Sequence, residues 1–284
     1  MLAGVALGVG FVRRERRTAA PLVDLALFSS RSFSAGTAAA ALTSFVMFGL
    51  LFAVPLYVQG VRGLDAQGVG LRLLPLVAGM VVTALPGQRL VPRLGARVVV
   101  GAGMVLLAAA LALGATTTRT DGDALALTWV ALAGAGLGLS LPTAMGAALG
   151  ELDEAASGTG SAVIQALRMV GGSFGAAILG ATLNAGYRAW LPTGSAPLTG
   201  LPGEATAAVR DGLSAAAEVA QALHAPEVLD AARSAFVSGM DTTLWVCAGL
   251  TLAGGLTAAA FLPGRHRPGH GEAAGSEHER IAAS

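Results

Sequence analysis

Six apolar segments, each long enough to cross a bilayer, dominate what this chain can fold into. They lie near residues 35–58, 69–90, 98–117, 124–148, 159–185 and 236–262. A helix needs about 20 mostly apolar residues to span the hydrocarbon core. Charge is correspondingly scarce: 12% of the 284 residues are charged and 54% hydrophobic, with a mean hydropathy of +0.67. Soluble domains carry about twice that share of charge. So few polar groups cannot coat a water-soluble globule, and the expected partner of this surface is a lipid bilayer. Barrel strands are about 10 residues long and alternate apolar with polar, whereas these runs are longer and continuous. The expected fold class is therefore an all-α membrane protein. Pro55, Pro75, Pro86 and Pro142 fall inside the segments, where neighbouring helices can satisfy the backbone groups that proline frees.

Every basic residue is Arg, and the formal net charge is +1. No basic face or stripe of the kind that binds nucleic acid is present. Orientation follows from where Arg sits relative to the spans. With the RRERR run on the cytoplasmic side, three clusters fall there: Arg13, Arg14, Arg16, Arg17 and Arg31; then Arg89, Arg93 and Arg97; then Arg265, Arg267 and Arg280. The acidic GELDEAASG loop lies on that side too, but acidic residues weigh little in the rule. Residues 1–12 are apolar and precede RRERR. A signal peptide has the reverse order, so these residues read as the end of a helix that starts before Met1. The resulting divisions are 1–12, the end of a truncated span; 13–34, a cytoplasmic linker; 35–262, the six-helix unit; and 263–284, a disordered polar tail. Within the unit, residues 186–235 form an outer loop. There Val209, Leu213, Ala216, Ala220 and Leu223 recur at helical spacing, and Pro226 is expected to open another short helix. The apolar face reads either as a helix lying on the outer surface of the bundle or as a lid.

Charges inside spans are the most informative residues, because each is costly unless it faces protein or water. Arg168 lies within the fifth segment, and Gln165 is one turn earlier on the same face. Two readings stay open: a cavity-lining pair that contacts an anionic group or gates the cytoplasmic side, or an Arg that pins the helix through backbone carbonyls or snorkels to the surface. Arg72 reads as a snorkelling anchor, Asp65 as part of a short outer turn and Asp241 as the interfacial start of the last span. No Asp or Glu falls in the middle of a segment. Gly134 with Gly138, Gly171 with Gly175, and Gly172 with Ala176 and Gly180 have the small-xxx-small spacing of close helix contacts. Pro142 is a candidate kink. No catalytic motif is present, and the single Cys247 excludes a disulfide framework or a cysteine metal site. The tail histidines lack partner ligands. The chain is expected to be no enzyme, with no metal and no cofactor.

Several motifs carry a resemblance. FVRRERRTAAPLVDLALFSSRSF places Glu15, Arg16, Pro21, Leu22, Asp24, Leu27, Phe28 and Arg31 as in the cytoplasmic linker before the C-terminal six-helix half of certain transporters. These are the fourteen-span drug:proton antiporters of the major facilitator superfamily (EmrB/QacA type). QRLVPRLGARVVV is similar to their cytoplasmic Gly-x-x-x-Asp-Arg-x-Gly-x-Arg loop at Arg93, Gly95 and Arg97, with Gln88 in place of the Gly and Pro92 in place of the Asp. SGTGSAVIQALRMVGGSFGAAILG resembles their Arg-then-Gly-Gly pattern at Arg168, Gly171, Gly172 and Gly175. The resemblance covers nearly the whole chain. It implies the six-helix C-terminal bundle of a major facilitator fold plus a partial preceding helix, multi-pass in the inner cell membrane.

By that resemblance the bundle forms one wall of a cavity for a lipophilic small-molecule substrate, with Gln165 and Arg168 as polar contacts and Arg89, Arg93, Gly95 and Arg97 as a cytoplasmic latch. Its partner is an N-terminal transporter half. The alternatives are a half-transporter that pairs with a second half, and a non-transporting scaffold or remnant.

Overall fold

The computed structural model describes residues 25–118, 122–150, 152–191, 195 and 198–262. The apolar stub at 1–12, the RRERR run, most of the linker motif, Arg119 and the tail from 263 lie outside the described residues. A 3-10 turn at Leu25–Ser29 leads into α1 (Arg31–Leu56). Then follow α2 (Ala66–Leu94), α3 (Ala96–Gly114), α4 (Asp123–Leu149), α5 (Glu154–Trp190), the short α6 (Gly203–Asp211) and α7 (Leu213–Ala222), and α8 (Pro226–Phe261). Among the described residues every element is helical, and six helices are long and apolar enough to cross a membrane.

Local chemistry sets the ends. Ser30 Oγ accepts from Phe33 N–H at 3.2 Å and starts α1, while Asp65 Oδ1 accepts from Gly68 N–H at 2.8 Å and starts α2. Asp65 is thus an N-cap as well as a turn residue. Past Pro55, which lacks an N–H, the last turn of α1 widens into a π turn at Tyr57–Val61. Pro142 does not end α4, which runs unbroken from Asp123 to Leu149.

Two expectations about connections need correction. The arginine-bearing stretch between the second and third spans is hardly a loop, because Gly95 alone separates α2 from α3. Its φ of +87° is a conformation that a residue with a Cβ resists. Nor does Pro226 open a separate short helix. It is the first residue of the 36-residue α8, which continues without a breaker through Asp241 and across the span. Hydropathy placed the start of that span too late because the first turns of α8 are amphipathic and belong to the outer end of the bundle.

Helix pairing has an internal regularity. α2 packs on α4 and α5 packs on α1, while α1 meets α4 and α3 meets α8. Exchanging the first three spans for the last three maps these pairs onto one another. Since successive spans alternate in direction, this pairing follows the pattern of an inverted repeat, although α3 packs on α4 more extensively than its counterpart α8 packs on α1. Lipid is as apolar as leucine, so close packing has to hold such helices together. Glycine provides it at both crossings. A Cβ on Gly171 would stand 2.6 Å from the Ala41 carbonyl oxygen, and Gly175 abuts the Phe45 carbonyl. On the other crossing Gly134 and Gly138 abut the carbonyls of Leu76 and Met80. Gly172 seats the Phe48 ring, whose Cδ2 a Cβ there would approach to 2.7 Å. The small-residue spacings thus mark real contacts.

Candidate functional site

The fifth span carries the buried cation. Arg168 is half-buried and turns toward the space among α1, α4 and α5. Its Nε donates to Ser44 Oγ on α1 at 3.0 Å. Its Nη1 donates to Gln165 Oε1 at 2.9 Å and lies 3.4 Å from Met145 Sδ on α4. The shared face of Gln165 and Arg168 is therefore a direct hydrogen bond. A side chain tied to groups on three spans is not snorkelling to a headgroup, and its partners are side chains, not helix carbonyls.

The charge itself has no counter-ion: among the described residues no carboxylate pairs with Arg168. Neutral acceptors satisfy hydrogen bonds but leave a net positive potential, which a low-dielectric surrounding preserves. The cluster can therefore attract an anionic group or orient a polarised carbonyl. Sequence reasoning found Gln165 and Arg168 but missed Ser44 and Met145. Ser44 could have been noticed as a polar residue inside an apolar run, whereas nothing in the sequence announces Met145.

Around this cluster α5 presents an open face. Gln165, Ser161 and Ser173 are exposed there, alongside Met169, Val170 and Phe174. Only 28% of the apolar window of α5 is buried, and 11% of that of α2, against half for α1, α3 and α4. Polar side chains aimed into lipid are costly; of these, Gln165 is engaged by Arg168 and the Ser173 hydroxyl donates to the Met169 carbonyl at 3.0 Å.

At the end of the bundle where α1 gives way to α2, the sequence reading of Arg72 is corrected. Arg72 pairs with Asp123, and Arg62 Nη2 lies 3.2 Å from the same carboxylate. One acid at the first turn of α4 thus joins the end of the first span to the start of the second. A nearby anion satisfies Arg72 more directly than a headgroup could. Arg62 also lies over the Tyr57 ring, 5.9 Å from its centroid. Arg89, Arg93 and Arg97 are exposed around the Gly95 corner at the other end.

The α6–α7 segment is bolted to the bundle. Val209, Leu213, Ala216 and Ala220 are buried as the spacing predicts, while Leu223 is exposed. The segment is two helices, broken at Gly212. Tyr187 O–H donates to the Val209 carbonyl at 2.7 Å, and Arg188 donates to the Arg210 carbonyl and pairs with Asp211 at 3.0 Å.

Comparison with known proteins bears on this architecture. A family described as Major Facilitator Superfamily matches residues 2–176. The chain is similar to the multidrug efflux pump LfrA of Mycolicibacterium smegmatis, 28% identical over 88% of this chain and 49% of that protein. It is likewise similar to the tetracenomycin C resistance and export protein of Streptomyces glaucescens, 30% identical over 89% of this chain and 48% of that one. The chain thus spans about half the length of these relatives. Among solved structures, a bacterial homolog of the human lysosomal transporter Spinster, captured inward-facing and unoccupied, shares the fold. The TM-score is 0.63 at 17% identity, over 85% of this chain and 52% of that one.

Proposed function

The chain belongs to the major facilitator superfamily, and on that premise we propose that it is the C-terminal six-helix half of a multidrug-efflux transporter of the fourteen-span, proton-coupled kind. It sits in the inner membrane with its Arg-rich helix ends and tail in the cytoplasm. In the assembled transporter a lipophilic compound occupies the midplane between two halves, which rock to expose it alternately. This half supplies one wall, in which Arg168, Gln165 and Ser44 form the polar contact and apolar side chains take the rest of the compound.

The observation that carries this reading is the open polar face of α5: an uncompensated cation, its glutamine and two serines stand where lipid would be unfavourable. A facing half or a water-filled cavity removes that cost. The efflux named for the two similar proteins supports the choice of transport direction and substrate class.

The test is export of a fluorescent lipophilic dye from cells in which this chain is joined to, or expressed with, a complementary half. Arg168→Ala removes one charge-assisted contact to the compound, worth about 1.5–3 kcal/mol, so export is expected to fall at least about tenfold. Unchanged efflux by a variant present at wild-type level in the membrane removes Arg168 from the site. Dye export by the chain without a complementary half favours self-pairing instead.

A further inference from the structure

At the end of the bundle where α5 stops and α8 begins, the α6–α7 cap covers a cavity of about 530 Å³ between α1, α5 and α8. We propose that this cavity is a second binding site, distinct from the midplane cluster, for an amphipathic organic anion. Its size falls within the range of small-molecule pockets, which are mostly apolar with a few placed polar groups. Phe52, Leu56, Leu183 and Phe236 supply the apolar body, and Asn184 and Arg233 the polar groups.

Charge decides the class of ligand. Arg233 uses its Nε to donate to the Gly60 carbonyl at 3.3 Å, which fixes the guanidinium at the wall. Its two terminal nitrogens make no hydrogen bond to any described residue, and no described carboxylate pairs with it. The one acid on the lining, Asp211, is engaged by Arg188. The cavity therefore offers one uncompensated cation in a largely apolar chamber. A planar guanidinium with free terminal N–H groups matches a carboxylate, sulfonate or phosphate. Asn184 adds a buried side-chain oxygen without a partner, ready to accept from a ligand hydroxyl or amide. The apolar walls take rings or chains, and Phe52, itself 44% exposed, stands at the side open to the surroundings.

Anionic amphiphiles reach this place from two sources: a free aromatic or aliphatic acid, or an anionic lipid of the outer leaflet. The shared chemistry is an acid head on Arg233 with an apolar body against the phenylalanines.

Photolabelling tests the proposal. The full chain in phosphatidylcholine nanodiscs is irradiated with 4-benzoylbenzoic acid and, separately, with its uncharged amide, and adducts are mapped by mass spectrometry. The acid is expected to label the segments 52–60 and 213–236 and the amide to label them at least tenfold less. Arg233→Gln is expected to abolish the preference for the acid, Arg233→Lys to retain most of it, and Ala217→Trp, which fills the chamber, to suppress labelling. Ala217→Trp alone reports on occupancy should Arg233→Gln disturb the cap. Loss of labelling when phosphatidylglycerol is added to the nanodisc identifies a lipid as the occupant of the same anion site. Strong labelling in nanodiscs containing it identifies a free acid. Equal labelling by acid and amide, or labelling that survives Ala217→Trp, overturns the proposal. Labelling confined to the neighbourhood of Gln165 and Arg168 also overturns it while leaving the midplane reading standing.

Discussion

Two arginine environments inside the bundle show how one side chain takes different roles according to its partners. Arg168 is held by a hydroxyl, an amide and a thioether, which satisfy its geometry and leave its charge unspent. Arg72 and Arg62 share the Asp123 carboxylate, so their charges hold helix ends together. The second arrangement is partly exposed, and ion pairs of that sort contribute about 1 kcal/mol or less. Asp123 also stands at the positive end of the α4 dipole, where an acid is favoured. Replacing Asp123 by Ala removes the carboxylate that Arg62 and Arg72 share. The variant is expected to unfold thermally at a lower temperature than the parent, by the equivalent of about 1 kcal/mol. Because surface charges are screened by salt, the gap between parent and variant should narrow at high ionic strength. A gap that ignores salt would exclude both the ion pairs and the helix dipole as the role of Asp123.

At the scale of the helix, glycine separates packing from propensity. Gly171 and Gly146 are both helical, yet a Cβ on Gly171 meets the Ala41 carbonyl at 2.6 Å while one on Gly146 meets nothing within 4 Å. Gly171→Ala is expected to push α5 away from α1 and to destabilise by about 1–3 kcal/mol, as overpacking does. Gly146→Ala should be neutral or stabilise by up to about 1 kcal/mol, the helix preference for Ala over Gly. Chemical unfolding of the two variants in the same detergent compares them directly. If both behave alike, the close crossing is not what those glycines serve. The cap offers a second case. Tyr187→Phe removes a buried hydrogen bond from the bundle to α6, beside the exposed contacts of Arg188, costing about 1 kcal/mol. Limited proteolysis should then cut within 203–222 faster, while the spans stay resistant.

For the whole molecule, the question is which outer faces meet lipid and which meet protein. Val81 and Phe174 are exposed on α2 and α5, the helices with the least buried spans, whereas Val105 on α3 and Leu252 on α8 line one shared groove. The native Cys247 is buried, so introduced cysteines report their own positions. Val81→Cys and Phe174→Cys are expected to react with a membrane-permeant maleimide in the isolated chain and to be protected when a complementary half is present. Val105→Cys and Leu252→Cys should react equally in both states. Protection of all four, or of none, would remove the proposed interface. What was legible from residues alone differs sharply between these scales. The six spans, the glycine contacts and the Gln165–Arg168 pair could be read from hydropathy and spacing, because period and apolar length are local properties. The partners Ser44 and Met145, the Asp123 bridge and the true start of α8 could not, because each joins segments far apart in the chain. Charge scarcity and span length, both local properties, dictate helices across a bilayer, and the place of Arg168 within its apolar run sets a cation among them. Which arginines are neutralised, which face stays open and where a chamber forms are settled in the fold. Those outcomes depend on how helices cross, and a crossing is set by contacts between residues that no single stretch of sequence contains.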